Sequence, residues 1–231
     1  MEGRGHGVYE VLFSVDRWGD RTVFFGWAVL CEKFAVGNVC YALIGAAIPL
    51  MISGGFHVDG YMDTMDAFHS YQSREKKLEI LKDSHIGAFA AIMLALYYMI
   101  DIAAISEIHT QKAVSAVAAV FFLARCFSGI AVMTLQPAKK EGLLYTFASS
   151  AQKVRVKAAL YFQAALCVVL MLLVSGWYGA AAIGAALLSF FYFKKKSYKE
   201  LGGITGDTAG FFVTVCEAAA AAAVAVAGYF L

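Results

Sequence analysis

The chain has 231 residues, 61% of them hydrophobic and only 16% charged, whereas a water-soluble domain is about half apolar and about a quarter charged. Its mean hydropathy of +0.67 is concentrated in blocks long enough to cross a bilayer, which excludes a soluble domain and predicts one all-α, polytopic membrane domain over residues 1–231. The net charge of +2 gives no ground for a nucleic-acid partner, and Cys31, Cys40, Cys126, Cys167 and Cys216 all lie in apolar stretches without metal-ligand or C-x-x-C spacing.

Residues 1 to about 21 are polar, with Glu2, Glu10, Asp16 and Asp20 among basic residues, and lack the layout of a removable signal peptide. An interfacial or re-entrant half-segment is expected at 22–31, ended by Glu32-Lys33, and the topology of 1–33 stays open. Spans are expected at 34–53, 86–105, 113–135, 158–175, 177–193 and 208–231, making six, or seven if 22–31 crosses. Leu78, Ile80 and Leu81, with Arg74, Lys76, Lys77 and Lys82 around them, predict a short amphipathic helix on the headgroups. Lys and Arg number four, one, five, none and four in successive loops. By the positive-inside rule, loops 54–85, 136–157 and 194–207 face the cytoplasm.

The first of these loops carries Gly54-Gly55-Phe56-His57-Val58-Asp59-Gly60-Tyr61-Met62-Asp63-Thr64-Met65-Asp66. Gly54-Gly55 is a natural break after an apolar span. Asp59, Asp63 and Asp66 stand at i, i+4 and i+7, so a helix places them on one face. Carboxylates at ~4 Å repel by about 1 kcal/mol per pair in water and by more where water is scarce. A divalent cation is the economical compensation, and Mg²⁺ is typically held by one or two carboxylates together with substrate phosphate oxygens. A solvated acidic helix face is the competing reading. His57 is a candidate base, or a satisfied polar residue at an interface.

The last loop repeats part of this pattern in Gly202-Gly203-Ile204-Thr205-Gly206-Asp207-Thr208-Ala209-Gly210, where an aspartate again follows the second glycine by four residues. Its backbone amides suit phosphate at a helix N-terminus, while Asp207 or Thr208 equally suits an N-cap. No Walker motif occurs. Asp101, Arg125 and Glu217 fall inside expected spans, where charge is costly and marks function or pairing. Arg125 suits a phosphate or a carboxylate such as Asp101. The alanine run after Glu217 suits close helix packing.

These motifs resemble the cobalamin synthase family, the adenosylcobinamide-GDP ribazoletransferases. The resemblance rests on G-G-F-H-V-D-G-Y-M-D-T-M-D-A at 54–67, Lys82-Asp83-Ser84-His85-Ile86-Gly87, Ala124-Arg125, Glu141-Gly142-Leu143, and the 203–210 stretch followed by Glu217. Ala67 and Ala124 stand where the family has glycine and serine. The resemblance implies a Mg²⁺-dependent reaction at the cytoplasmic face of the inner membrane. There α-ribazole or its 5′-phosphate is joined to the phosphoryl group on adenosylcobinamide, and GMP leaves. It implies Asp59, Asp63 and Asp66 as Mg²⁺ and diphosphate residues, and Asp83 as a second metal contact or hydroxyl-positioning group. It further implies Arg125, Lys82, Ser84, Gly203, Thr205, Gly206, Asp207 and Thr208 as phosphate or GMP contacts, with Gly54, Gly55 and Glu217 lining the substrate and His57 as base. The partners expected are the two small-molecule substrates, the lipid bilayer and, as an open alternative, a second copy of the chain. Rival classes are an ion-coupled transporter using Asp101, Arg125 and Glu217, and Mg²⁺-dependent prenyltransferases or CDP-alcohol phosphotransferases. The second D-x-x-x-D motif of the prenyltransferases and the Ala-Arg of the CDP-alcohol enzymes do not occur at the required places.

Overall fold

A computed structural model describes residues 16–138 and 153–231, and the described residues form nine helices. These are α1 (Asp16–Lys33), α2 (Asn38–Ser53), α3 (Phe56–His69), α4 (Arg74–Ile80), α5 (Ala88–Ile105), α6 (Gln111–Thr134), α7 (Lys153–Ser175), α8 (Trp177–Leu201) and α9 (Gly206–Gly228). The Glu141-Gly142-Leu143 match and the N-terminal residues 1–15 lie outside the described residues.

Burial sorts the described helices into core and shell. The most apolar stretch of α6 is 83% buried and that of α9 67%, against 28% in both α5 and α7. The two buried helices are rich in alanine, whose small side chain lets neighbouring backbones approach. Helices α1, α7, α8 and α9 pack around α6, while α9 also lies against α3, α5 and α8. The outer helices α5 and α7 leave Ile92, Met99, Phe162 and Leu173 exposed, as a lipid-facing surface requires.

Among the described residues, four helices are long and apolar enough to cross a membrane: α5, α6, α7 from Val154, and α9. Helices α2 and α3 meet that criterion only as a pair bent by 95°, which makes five spans if the pair counts as one. The expected span 177–193 lies in α8, a 25-residue helix whose last turns take in Lys194, Lys195, Lys196, Lys199 and Glu200; its apolarity is too diluted to meet the same criterion. The half-segment expected at 22–31 is part of the continuous 18-residue α1, with Glu32 and Lys33 in its last turn. That charged pair ends a helix and interrupts no span.

The 95° bend comes from Gly54 and Gly55, at φ 60° and 85°. Side chains with a Cβ rarely adopt this left-handed conformation. At ~1.5 Å per residue, the 14-residue α3 is about 21 Å long, too short to cross a ~30 Å core. It runs antiparallel along α9, with Gly60 against Asp207 and His57 against Gly210.

Three loops meet at this end of the bundle. Lys77 on α4 is buried and bonds Glu200 at 2.5 Å, while Lys196 holds the other oxygen of Glu200 at 2.9 Å. The expected headgroup helix is therefore pinned to the end of α8 by a paired lysine. Arg74 lies directly over Gly202. Ile204 forms a parallel bridge with Pro137, in which Ala138 N–H donates to the Ile204 carbonyl at 2.8 Å and Ile204 N–H to the Gln136 carbonyl at 2.9 Å. The loops 54–85 and 194–207, together with residues 136–138, thus meet at one end of the bundle.

Candidate active site

Helix α3 has two unlike faces because its carboxylates and its small and aromatic residues recur with the same helical period at different phases. Gly60, Tyr61, Thr64 and Phe68 turn inward. A methyl group on Gly60 would lie 2.8 Å from the Asp207 carbonyl oxygen, and one on Gly210 would lie 3.2 Å from that of His57. The two glycines let α3 and α9 touch backbone to backbone. Tyr61 and Phe68 close the contact from either side, with ring centroids 5.8 and 5.7 Å from Phe211.

The other face carries the carboxylates. Asp59 is exposed and Asp63 half-buried, and neither makes a hydrogen bond or ion pair among the described residues. Burial, and then the neighbouring carboxylates of Asp59, Asp207 and Asp66, push Asp63 up to about 6. Asp207, in the first turn of α9, therefore belongs to the same acidic cluster, although it comes from the far end of the chain. Asp66 differs: its two oxygens accept from Gly87 N–H at 2.6 Å and Ala90 N–H at 2.8 Å.

Among the described residues, no three His, Cys, Asp or Glu side chains close around one point as a metal cage would. The donor set nevertheless suits a hard cation. Two carboxylates with open oxygens, one of them raised by burial and then by its neighbours' charge, are what Mg²⁺ uses when the remaining ligands are water and substrate phosphate.

The structure revises several readings. His57 stands two residues, or about 200° of helical rotation, from Asp59. It points into the bundle, where its Nδ1 has no hydrogen-bond partner among the described residues. Burial, helped by the Arg125 guanidinium, pushes it down to about 3. It remains neutral but is turned away from the carboxylate face, so the geometry gives it no access as a base there. Arg125 pairs with Glu217, not with Asp101: Nη1 to Oε1 is 2.7 Å, both side chains are buried, and the same nitrogen donates to the Phe121 carbonyl. Asp101, on α5, is only 4% exposed.

The glycine stretches also make structural contacts of their own. The amides of Gly54 and Gly55 both turn back to the Leu50 carbonyl. A methyl group on Gly203 would lie 2.6–2.8 Å from the backbone of residues 136–138. The N-cap of α9 is Thr205, and neither Asp207 nor Thr208 takes that position: the Thr205 hydroxyl accepts from Thr208 N–H at 3.1 Å, and the Thr208 hydroxyl accepts from Thr205 N–H at 2.8 Å. Both hydroxyls are occupied by the capping box. Gly206 has open space around it.

Lys82, Asp83, Ser84 and His85 are exposed on the loop that leads into α5. Asp83 accepts from the His85 backbone at 3.1 Å and meets its Nδ1 at 2.5 Å. Hydrogen bonding to His85 holds the Asp83 carboxyl below its ordinary value and raises His85. Sequence reasoning missed three contacts: Asp66 with Gly87, Lys77 with Glu200, and Gly60 with Asp207. The signal for the last was a glycine inside a helical pattern, which marks close backbone approach. A cavity of about 440 Å³ between α1, α6 and α7, lined by Phe25, Phe122, Leu166 and Met171 among others, shares no residue with this end.

A helical bundle with apolar, exposed outer helices and several helices long enough to cross a bilayer defines the class: an all-α polytopic membrane protein. Residues 22–225 match the cobalamin-5-phosphate synthase family, and the chain belongs to that family. It is 41% identical over 205 residues to the adenosylcobinamide-GDP ribazoletransferase of Lachnoclostridium phytofermentans, covering 89% of this chain and 78% of that protein. It is 32% identical over 174 residues to the protein of the same name from Clostridium botulinum strain Alaska E43, covering 74% and 68%. Against that of Azorhizobium caulinodans it is 29% identical over 214 residues, covering 90% and 81%. No solved structure matches the chain.

Proposed function

We propose that this chain is an adenosylcobinamide-GDP ribazoletransferase that joins α-ribazole, or its 5′-phosphate, to adenosylcobinamide in the last assembly step of cobalamin. The observation that carries the reading is that residues matching the family run through the whole bundle and include the open carboxylates of Asp59 and Asp63. In the reaction, a ribose hydroxyl oxygen forms a bond to the phosphorus attached to adenosylcobinamide. The bond from that phosphorus to the bridging oxygen breaks, GMP leaves with this oxygen, and the hydroxyl proton passes to solvent. Such a displacement asks the protein chiefly for positioning and charge neutralisation.

Asp59 and Asp63 would hold Mg²⁺, with Asp207 at the edge of the cluster, and the cation would neutralise the diphosphate oxygens and the carboxylates together. Lys82 and Ser84, exposed on the neighbouring loop, would contact phosphate, and Asp83 would orient His85 beside the acceptor hydroxyl. Arg125 and Glu217 would act as a buried ion pair joining α6 to α9. The site would face the cytoplasm at the inner membrane, because the basic loops share its end of the bundle. The test is GMP release by purified protein from adenosylcobinamide-GDP and α-ribazole, with and without Mg²⁺. Release that needs both substrates and the metal is expected, and its absence with active controls overturns the reading.

A further inference from the structure

Three carboxylates share one face of α3, but the third is held differently. Asp66 gives one oxygen to Gly87 N–H at 2.6 Å and the other to Ala90 N–H at 2.8 Å, both amides at the start of α5 that no intrahelical carbonyl satisfies. A Cβ on Gly87 would fall 2.4–2.6 Å from the carboxylate, so the contact requires glycine at that position. Gly87 also closes the loop carrying exposed Lys82, Asp83, Ser84 and His85. Among the described residues, Asp59 and Asp63 have no such amides.

We propose that Asp66 is a positioning residue and not a metal ligand: it clamps the first turn of α5, and with it the 82–86 loop, beside the Asp59–Asp63 face. The inference rests on the reaction proposed above, in which that loop and that face approach the same diphosphate from two sides. The negative carboxylate at the positive end of an 18-residue helix is also the favourable arrangement of charge.

The experiment compares wild type, Asp66→Asn, Gly87→Ala, the double variant and Asp63→Asn as full-length protein in detergent, with Mn²⁺ binding followed by the EPR signal of the free ion. Asp66→Asn and Gly87→Ala should keep Mn²⁺ affinity within about twofold of wild type, whereas Asp63→Asn should lose about tenfold or more. Both clamp variants should lower kcat by about 10- to 100-fold with little change in the Mg²⁺ requirement, as misplacement of a loop does. The double variant should be no worse than the poorer single one, because one contact is lost in each case. Mn²⁺ binding lost in Asp66→Asn as severely as in Asp63→Asn, with Gly87→Ala unaffected, overturns the proposal.

Thermal midpoints provide a readout that needs neither metal nor turnover. Additive losses from Asp66→Asn and Gly87→Ala would deny the clamp, and a double variant no lower than the worse single one supports it. Wild-type protein that binds Mn²⁺ but releases no GMP would sink the reaction reading alone, and the Mn²⁺ comparison would still decide the role of Asp66.

Discussion

The two glycine and aspartate stretches, 54–66 and 202–210, read alike, each with a Gly-Gly pair and an aspartate four residues beyond it, yet the fold uses them differently. In the first, left-handed glycines break one helix pair and send α3 across the bundle end with two carboxylates open. In the second, Gly203 presses on residues 136–138 and Thr205 caps α9, so the two threonine hydroxyls and part of the backbone are taken up by structure. Asp207 alone joins the acidic cluster, brought there by the Gly60 contact. A shared local pattern therefore says little about which groups remain available. What remains depends on whether another part of the chain has already taken the amides.

Substitutions probe this contrast, beginning with the largest effect. Asp63→Asn should lower GMP release by about 10²- to 10³-fold while helicity by circular dichroism is unchanged, as loss of a central electrostatic group does. If Asp207→Asn matched it, the two stretches would be equal partners and the contrast would collapse. Gly60→Ala forces a Cβ against the Asp207 carbonyl oxygen at 2.8 Å, a backbone atom that moves only with its helix. It should cost about 1–3 kcal/mol, read as a lower thermal midpoint, with a loss of turnover as Asp207 shifts. Gly203→Ala meets backbone at 2.6–2.8 Å and should destabilise to a similar degree but spare Mg²⁺ binding, which would separate scaffold from cluster.

The charge of the cluster gives a smaller, signed effect. Asp63 sits at about 6 in the folded protein, against 3.8 for a free carboxyl. Its contribution to stability is full below about 3.8 and is lost as pH rises through about 6, when its charge joins those of its neighbours. The thermal midpoint of cation-free protein should therefore fall across that window, and added Mg²⁺ should restore it above pH 6. An Asp63→Asn variant should show neither the fall nor the restoration. The smallest change is at Gly206, which has open space around it. Gly206→Ala should alter stability by no more than about 0.5 kcal/mol, in contrast to its neighbour Gly203.

What the sequence determined by itself was local in origin. Hydropathy blocks gave the long apolar helices, helical spacing put Asp59, Asp63 and Asp66 on one face, and the motif order carried the family. The tertiary structure decided what each polar group meets. Arg125 pairs with Glu217, 92 residues away; Asp66 is taken by amides 21 and 24 residues on; and His57, two residues from Asp59, faces the opposite way. Periodicity fixes which side of a helix a residue occupies, but only the packing of one helix on another decides whether that side opens to a substrate or closes on a backbone amide.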